Sequence, residues 1–140
     1  MKAIIGTNVI IDVTDRRAEF FADSYRTIQL SMQKAFNGYI TAGAVSDIYY
    51  ITRKSTGDAK KAREAIAGLI ELVSVCDTRA GDIPAALVID MPDLEDAIVA
   101  ATAKREKADF IVTRNVRDYR NSPIPAVTPQ DFLNKLDGGI

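Results

Sequence analysis

The most informative absence in this sequence of 140 residues is histidine, which does not occur at all. Without it the chain has no Ser–His–Asp or Cys–His nucleophilic site, no histidine acid–base pair and no histidine-ligated zinc. The single cysteine, Cys76, likewise excludes an internal disulfide and a zinc site built from several cysteines. If the chain catalyses hydrolysis, carboxylates that hold a hard cation such as Mg²⁺ or Mn²⁺ are the natural remaining means.

Long apolar runs and a surplus of positive charge are lacking too. No stretch approaches the roughly 20 apolar residues of a membrane span, and the apolar start is too short for a signal peptide. We therefore expect a cytoplasmic protein with no membrane partner. The formal net charge is −1, so no overall basic field indicates nucleic-acid binding. The length and an average composition, 47% hydrophobic and 26% charged, predict one globular domain over residues 1–140.

Short apolar runs alternate with helical patterns along the chain. Such alternation predicts a single α/β domain with a five-stranded parallel sheet flanked by helices. The predicted strands are Lys2–Ile5, Tyr39–Thr41, Leu72–Cys76, Ala108–Thr113 and a short one around Val127. The predicted helices run through Val13, from Ala18 to about Phe36, from Ala44 to about Thr52, from Asp58 to about Glu71, from Arg79 to about Ile89, from Met91-Pro92-Asp93 through Lys104, and over Pro129–Leu136.

Turn-forming residues give further local predictions. Asn37-Gly38 should end the second helix with a left-handed cap. Lys54–Gly57 should form a break, after which Asp58 caps the next helix. The tail Asp137–Ile140 should be frayed.

Three acidic residues follow predicted strands or begin the adjoining helices. Asp47 lies early in the helix "AVSDIYYI", Asp96 in the first turn of "PDLEDAIVAATA", and Asp118 after the fourth strand in "FIVTRNVRDY". In a parallel sheet, ligands bind at the carboxyl ends of the strands. Each acid alone is explained by a helix macrodipole, a capping arrangement with Asp93 or a surface turn. Three together favour a bound cation, because like charges in one crevice repel.

Four stretches of the chain together resemble the PIN domain, most closely the bacterial PIN proteins found as VapC-type toxins. They are an N-terminal strand followed by "TNVIID", an acid in "AGAVSDIYYI", and the strings "DLEDAIVAATA" and "ADFIVTRNVRDY", in the order and spacing of that family. The resemblance implies an endoribonuclease that depends on Mg²⁺ or Mn²⁺ and hydrolyses RNA phosphodiesters. It also implies a homodimer and a cognate antitoxin protein whose peptide occludes the site.

The site residues implied by the resemblance can be assigned one at a time. Asp47, Asp96 and Asp118 match three acidic positions of the family, with catalytic and metal-binding roles. The first acidic position, normally an aspartate before "TN", is Gly6, and Asp12 further along the helix should point away from that spot. Loss of even an indirect metal partner costs about 10–100-fold, so this departure predicts a weak or inactive nuclease. The matching polar positions are Thr7, Asn8, Thr113 and Asn115.

Gly6 has several interpretations. It can provide a positive φ, or let the backbone approach a phosphate closely. It can also mark natural decay of a PIN domain that is kept for binding. Finally, it can be an aspartate replaced so that a toxic protein can be produced. We favour a lost carboxylate, by either of the last two routes.

Basic and aromatic residues near the acidic positions are candidates for holding RNA. Arg53 follows the Asp47 helix, and Arg114 and Arg117 flank Asp118 in sequence, where arginines can clamp phosphates bidentately. Tyr49 and Tyr50 can stack on bases, although we expect at least one of them in the core.

Two other functions stay open at this point. One is a degenerate PIN domain that binds RNA or a protein partner without cleavage. The other is a phosphate- or nucleotide-binding α/β domain of receiver or phosphatase type. Gly6 disfavours the second, because it removes the obvious candidate for a nucleophilic aspartate at a strand end.

Overall fold

The computed structural model describes residues 1–138, so the last two positions of the predicted domain and of its predicted frayed tail lie outside the described residues. Its strands β1 to β5 are Lys2–Ile5, Asn37–Thr41, Ser74–Cys76, Phe110–Val112 and Ala126–Val127. Its helices α1 to α7 are Thr7–Thr14, Phe21–Met32, Ala42–Thr56, Ala59–Leu72, Asp82–Leu87, Leu94–Arg105 and Pro129–Asp137. A turn of 3₁₀ helix, Val116–Tyr119, follows β4. The predicted α/β architecture is confirmed.

The sheet is parallel, and its order is β3-β2-β1-β4-β5. The first strand of the chain therefore lies in the middle, with Ile4 opposite Tyr39 of β2 and Ile111 of β4. Alternate residues of a strand face opposite sides of the sheet, and β1 is apolar on both. Ala3 and Ile5 belong to one buried core, whereas Ile4 belongs to the other. This explains why β1 is a continuous apolar run rather than an alternating one.

The order of the strands creates a crevice. From β1 the chain builds β2 and β3 on one side, then crosses over to place β4 and β5 on the other. At such a reversal the connections from neighbouring strands leave in opposite directions, and the gap outside their carboxyl ends is the usual ligand site of open α/β sheets. Here that gap lies beyond β1 and β4. Among residues 1–138, no helix is both long and apolar enough to cross a membrane.

The predicted left-handed cap at Asn37-Gly38 is wrong. Helix α2 ends at Met32, and Lys34 takes the positive φ of 61°. Asn37 and Gly38 begin strand β2 instead. Packing requires the glycine there, because a Cβ on Gly38 would collide with Ser31 Oγ and come within 2.9 Å of Ser31 Cβ.

Other helix ends also differ from the predicted ones. Helix α3 continues past Thr52 to Thr56, and Gly57 with a φ of 69° ends it. Asp58 caps α4 as predicted, by accepting hydrogen bonds from two backbone N–H groups. Helix α5 covers only Asp82–Leu87, because the preceding residues form a turn in which the backbone N–H of Arg79 donates to Asp82 Oδ2.

Candidate active site

A pocket of about 560 Å³ lies over the carboxyl ends of β1 and β4. Its walls come from α1, α3, the start of α6 and the segment after β4. Asp118 is outside the lining, in the adjoining 3₁₀ turn, where its charge still acts on Asp96. The predicted site residues that line the pocket are Gly6, Thr7, Asn8, Asp47, Asp96, Thr113 and Asn115.

A hydrogen-bond network joins the ends of β1 and β4 at the floor of the pocket. Asn8 Nδ2 donates to Thr113 Oγ1 at 3.1 Å, and Asn8 Oδ1 accepts from the backbone N–H of Arg114 at 3.3 Å. The backbone N–H of Asn115 donates to the same Thr113 hydroxyl at 3.0 Å. The Asn8 side chain on α1 therefore fixes both Thr113, which follows β4, and the backbone of the next residue, Arg114. Three of the four predicted polar residues, Asn8, Thr113 and Asn115, thus form one connected network, and Thr7 lines the pocket beside them.

The acidic wall of the pocket comes from two helices. Asp47 lies on α3, and Glu95 and Asp96 lie in the first turn of α6. The pKa of Glu95 is raised to about 7, because its side chain shares a hydrogen bond with Asp47 and lies in the field of that carboxylate, with burial and the charges of Asp93 and Asp96 adding to the effect. Two carboxyl groups this close cannot both ionise without cost. The pocket therefore concentrates negative charge.

Asp96 is held at the point where α6 meets the 3₁₀ turn. Tyr119 Oη donates a hydrogen bond to Asp96 Oδ1 at 3.3 Å. Burial is the main cause that raises the pKa of Asp96, and the charges of Asp93 and Asp118 add to it, whereas the Tyr119 hydrogen bond opposes them. Asp93 caps α6 by accepting from the backbone N–H of Glu95, as predicted.

Gly6 is the N-cap residue of α1 and adopts ordinary extended backbone, with φ −70° and ψ 155°. The interpretation that it provides a positive φ is therefore wrong. Its N–H donates to the carbonyl oxygen of Val112 at 2.8 Å, and an added Cβ would lie 3.1 Å from that oxygen. That contact is tight, so a side chain fits only if β4 shifts by a few tenths of an ångström. Gly6 faces the same pocket as the acidic wall.

Arg114, which was predicted to contact RNA, forms an ion pair with Asp12. Its Nε donates to Asp12 Oδ2 at 2.7 Å, and its guanidinium lies 4.0 Å from the ring centre of Phe20. Asp12 is 0% exposed and also accepts from Ser24 Oγ at 3.0 Å, so it does not face the pocket. Without Arg114 this buried carboxylate would lose its counter-charge. The ion pair holds α1 against the segment after β4.

The other basic and aromatic candidates divide by position. Arg53 and Arg117 are exposed and lie outside the pocket lining. Arg17, which the sequence did not single out, lines the pocket from the α1–α2 connection. Tyr50 is 67% exposed and also lines it, whereas Tyr49 is half-buried.

The donor set of the pocket matches a hard cation only in part. Every candidate ligand is an oxygen atom of a carboxylate, hydroxyl or amide, which is what Mg²⁺ and Mn²⁺ prefer. However, within residues 1–138 no three acidic, cysteine or histidine side chains lie close enough to hold one metal ion together. Mg²⁺ usually takes one or two carboxylates and completes its shell with water and phosphate oxygens. Asp47 and Asp96 therefore suit a cation, and Gly6 leaves the side facing β1 without a carboxylate.

Sequence reasoning missed Glu95 and Tyr119. Glu95 stood in the first turn of a helix, where a carboxylate is ordinarily explained by the macrodipole. Its proximity to Asp47 depends on how α3 and α6 approach each other, which no local pattern reports. Tyr119 carried one usable signal, since it directly follows Asp118 in "VRDY".

The comparisons with known proteins agree with this architecture. The sequence profile of the PIN domain matches residues 2–117, so the chain belongs to the PIN domain family. It is 22% identical over 139 residues to ribonuclease VapC1 of Aquifex aeolicus (strain VF5), covering 96% of this chain and 94% of that protein.

Solved structures give the same fold. VapBC2 from Rickettsia felis, bound to a DNA fragment from their promoter, superposes with a TM-score of 0.73 at 14% identity, covering 91% of this chain and 98% of that one. DNA-bound VapBC from Salmonella typhimurium gives a TM-score of 0.73 at 17% identity, covering 92% and 98%. This chain therefore shares the fold of these VapBC structures.

Proposed function

We propose that this chain is a metal-dependent endoribonuclease of the PIN toxin type, weakened or inactivated because Gly6 stands where a carboxylate ligand belongs. One observation carries the proposal: Asp47, Glu95 and Asp96 line a single pocket with the polar ends of β1 and β4. The likeness to ribonuclease VapC1 supports the same class of reaction for this chain.

Each group of site residues has a distinct task in this function. A Mg²⁺ or Mn²⁺ ion in this pocket would supply an activated water for attack on a phosphodiester and positive charge to stabilise the leaving oxygen. Asp47 and Asp96 hold the cation, with Asp118 beside them in the 3₁₀ turn. Thr7 lines the same pocket, and the network of Asn8, Thr113 and Asn115 keeps its floor rigid, as productive geometry requires.

RNA binding is assigned to arginines around this pocket. Arg53 and Arg117 are exposed and available to phosphates, whereas Arg114 can reach a phosphate only with the guanidinium nitrogens that Asp12 leaves unused. Because the fold is that of VapBC complexes, we further propose a cognate antitoxin protein that covers the pocket, and a homodimer.

A second function has its own support. Gly6 offers no ligand, and no three acidic side chains among residues 1–138 share one metal position. Both observations also fit a PIN domain that binds RNA or a protein partner without cleaving. The Gly6→Asp experiment described next separates the two functions.

The test is Gly6→Asp, which restores the carboxylate. We expect divalent-metal-dependent RNA cleavage to rise by about one to two orders of magnitude, the range by which metal sites respond to loss of a partner. Gly81→Asp is the matched control, because Gly81 is the N-cap of α5, has open space around it and lies outside this pocket. It should leave cleavage unchanged.

Melting temperatures of the same variants test whether the new carboxylate is a ligand. In EDTA, Gly6→Asp gains a helix cap and a favourable dipole interaction, each worth under about 1 kcal/mol. It also adds a like charge to the acidic wall and a Cβ 3.1 Å from the Val112 oxygen, so we expect a lower melting point. Saturating Mn²⁺ should reverse the order by binding only the native state. If cleavage does not rise and the melting point ignores Mn²⁺, Gly6 is not a lost ligand position and the binding function is favoured.

A further inference from the structure

Tyr119 makes a contact that its place in the core does not require. Its ring is 6% exposed and packs in the core cluster that contains Ile4, Ala103 and Ile111, under β1 and β4. A phenylalanine would fill the same volume. The hydroxyl, however, reaches the pocket and donates to Asp96 Oδ1.

The contact fixes one oxygen of the carboxylate. Among residues 1–138 the Asp96 side chain accepts no other hydrogen bond from protein, so Tyr119 alone selects its orientation. Because the ring is anchored in the core, the hydroxyl position is set by packing rather than by solvent. The donor–acceptor distance of 3.3 Å is long for an O–H···O bond, so we expect the bond to be weak. Oδ2 is left for a ligand in the pocket.

The same side chain also joins two acidic elements. Tyr119 is the last residue of the 3₁₀ turn Val116–Tyr119, and Asp118 is its neighbour in that turn. Asp96 lies in the first turn of α6. The hydroxyl thus ties the turn that bears Asp118 to the helix that bears Asp96, two segments separated by the whole of β4 in sequence.

We propose that Tyr119 is a positioning residue of the metal site, which orients Asp96 toward a divalent cation and sets the distance from Asp96 to Asp118. This inference rests on the proposed metal-dependent function. It assigns Tyr119 no contact with the cation or with RNA. Residues that orient metal ligands typically change metal affinity by about 10–100-fold when they are removed.

The experiment is calorimetric titration of Mn²⁺ into Tyr119→Phe. Since the bond is long, we expect the low end of the range, an affinity about tenfold weaker than that of the parent chain. Tyr39→Phe is the matched control, because Tyr39 packs against the same core cluster but its hydroxyl has no hydrogen-bond partner among residues 1–138. Its Mn²⁺ affinity should equal that of the parent.

A metal-free measurement separates failure of this inference from failure of the proposed function. In EDTA, the melting temperatures of Tyr119→Phe, Asp96→Ala and the double variant should be non-additive, because each single substitution removes the hydrogen bond between the two side chains. Additive shifts would overturn the contact. Coupled shifts with unchanged Mn²⁺ affinity in Tyr119→Phe would overturn the positioning role. If neither the parent nor Gly6→Asp binds Mn²⁺, the metal-dependent function itself is wrong, and the positioning role is wrong with it.

Discussion

Glu95 is a residue of the pocket whose ionisation depends strongly on a neighbouring carboxylate. Its pKa is raised from the ordinary 4.5 to about 7 by the hydrogen bond and charge of Asp47. Between about pH 4.5 and 7, Glu95 therefore holds a proton in the folded protein that it has released in the unfolded chain. The stabilisation that this proton provides is lost as the pH rises through that range. At neutral pH and above, the pocket is under repulsion that a cation would relieve.

Glu95→Gln tests whether repulsion between Glu95 and Asp47 destabilises the folded protein at neutral pH and above. In EDTA at pH 8 the variant should have a slightly higher melting temperature than the parent. The gain in free energy of unfolding should be under about 1 kcal/mol, because the site is open to solvent. The difference should vanish by about pH 3, well below the ordinary pKa of 4.5, where Glu95 is protonated in both the folded and the unfolded chain. Differential scanning calorimetry across this pH range measures it, with Glu64→Gln on the exposed face of α4 as control. An advantage that is independent of pH would contradict the assignment.

Individual site residues were predictable to different degrees. Asp47 and Asp96 could be found because they follow strands or begin the adjoining helices, and both line the pocket. Arg114 was predicted as a phosphate contact because it stands beside Asp118 in sequence. Its actual partner, the buried carboxylate of Asp12, lies 102 positions away, and only the folded chain brings the two together.

At the scale of elements, the strands and helices were found but their ends were displaced. Asn37-Gly38 looked like a helix end because glycine is the usual left-handed cap. The structure uses Gly38 inside β2, where α2 leaves no room for a Cβ beside Ser31. A local pattern records which residue is permissive. It does not record whether a backbone angle or a neighbouring helix makes that residue necessary.

A pair of glycine substitutions tests whether packing is what makes Gly38 necessary. Gly38→Ala should destabilise the protein by about 1–3 kcal/mol, because the added methyl group would force α2 to move away from β2. Gly68→Ala should stabilise it by about 0.5–1 kcal/mol, because Gly68 lies inside α4 with nothing within 4 Å of an added Cβ. Urea denaturation measures both. Equal effects of the two substitutions would refute the packing explanation for Gly38.

At the scale of the whole molecule, charge is nearly balanced, and a second ion pair with a buried carboxylate joins α5, α6 and the residue after β3. Arg105 on α6 donates from Nε and Nη2 to the two oxygens of Asp82 on α5, at 2.8 and 2.9 Å, and Nη2 also reaches the carbonyl oxygen of Asp77 after β3. The pKa of Asp82 is lowered from 3.8 to about 2, first by the hydrogen bond from Arg105. The pair fastens the α5–α6 corner to the edge of the sheet.

This pair should govern the stability of the molecule in acid. Because the pKa of Asp82 is depressed, its stabilisation is present above about pH 4 and is lost as the pH falls toward 2. The loss should be about 2 kcal/mol of unfolding free energy. Asp82→Asn should remove this dependence, whereas Asp77→Asn, which breaks only an exposed contact with Arg79 at 3.4 Å, should keep it. Urea denaturation from pH 5 to pH 2 measures the free energy of unfolding. If the parent and Asp82→Asn lose the same free energy over this range, the role of Asp82 is refuted.

The central place of β1 has a further consequence, for the order in which the chain can fold. The carbonyl oxygen of Lys2, at the start of β1, accepts a hydrogen bond from the backbone N–H of Asp109, 107 positions later. Pairing over such separations carries a high loop-closure cost and is typical of slowly folding domains. During synthesis in the N-to-C direction, β1 therefore waits for β4, one of its two neighbours, until residue 112 of 140 has been made. A shorter nascent chain has no β4 and hence no floor for the pocket. In the nuclease proposed above, the site of cleavage would thus be assembled only after residue 112 of 140 has been made.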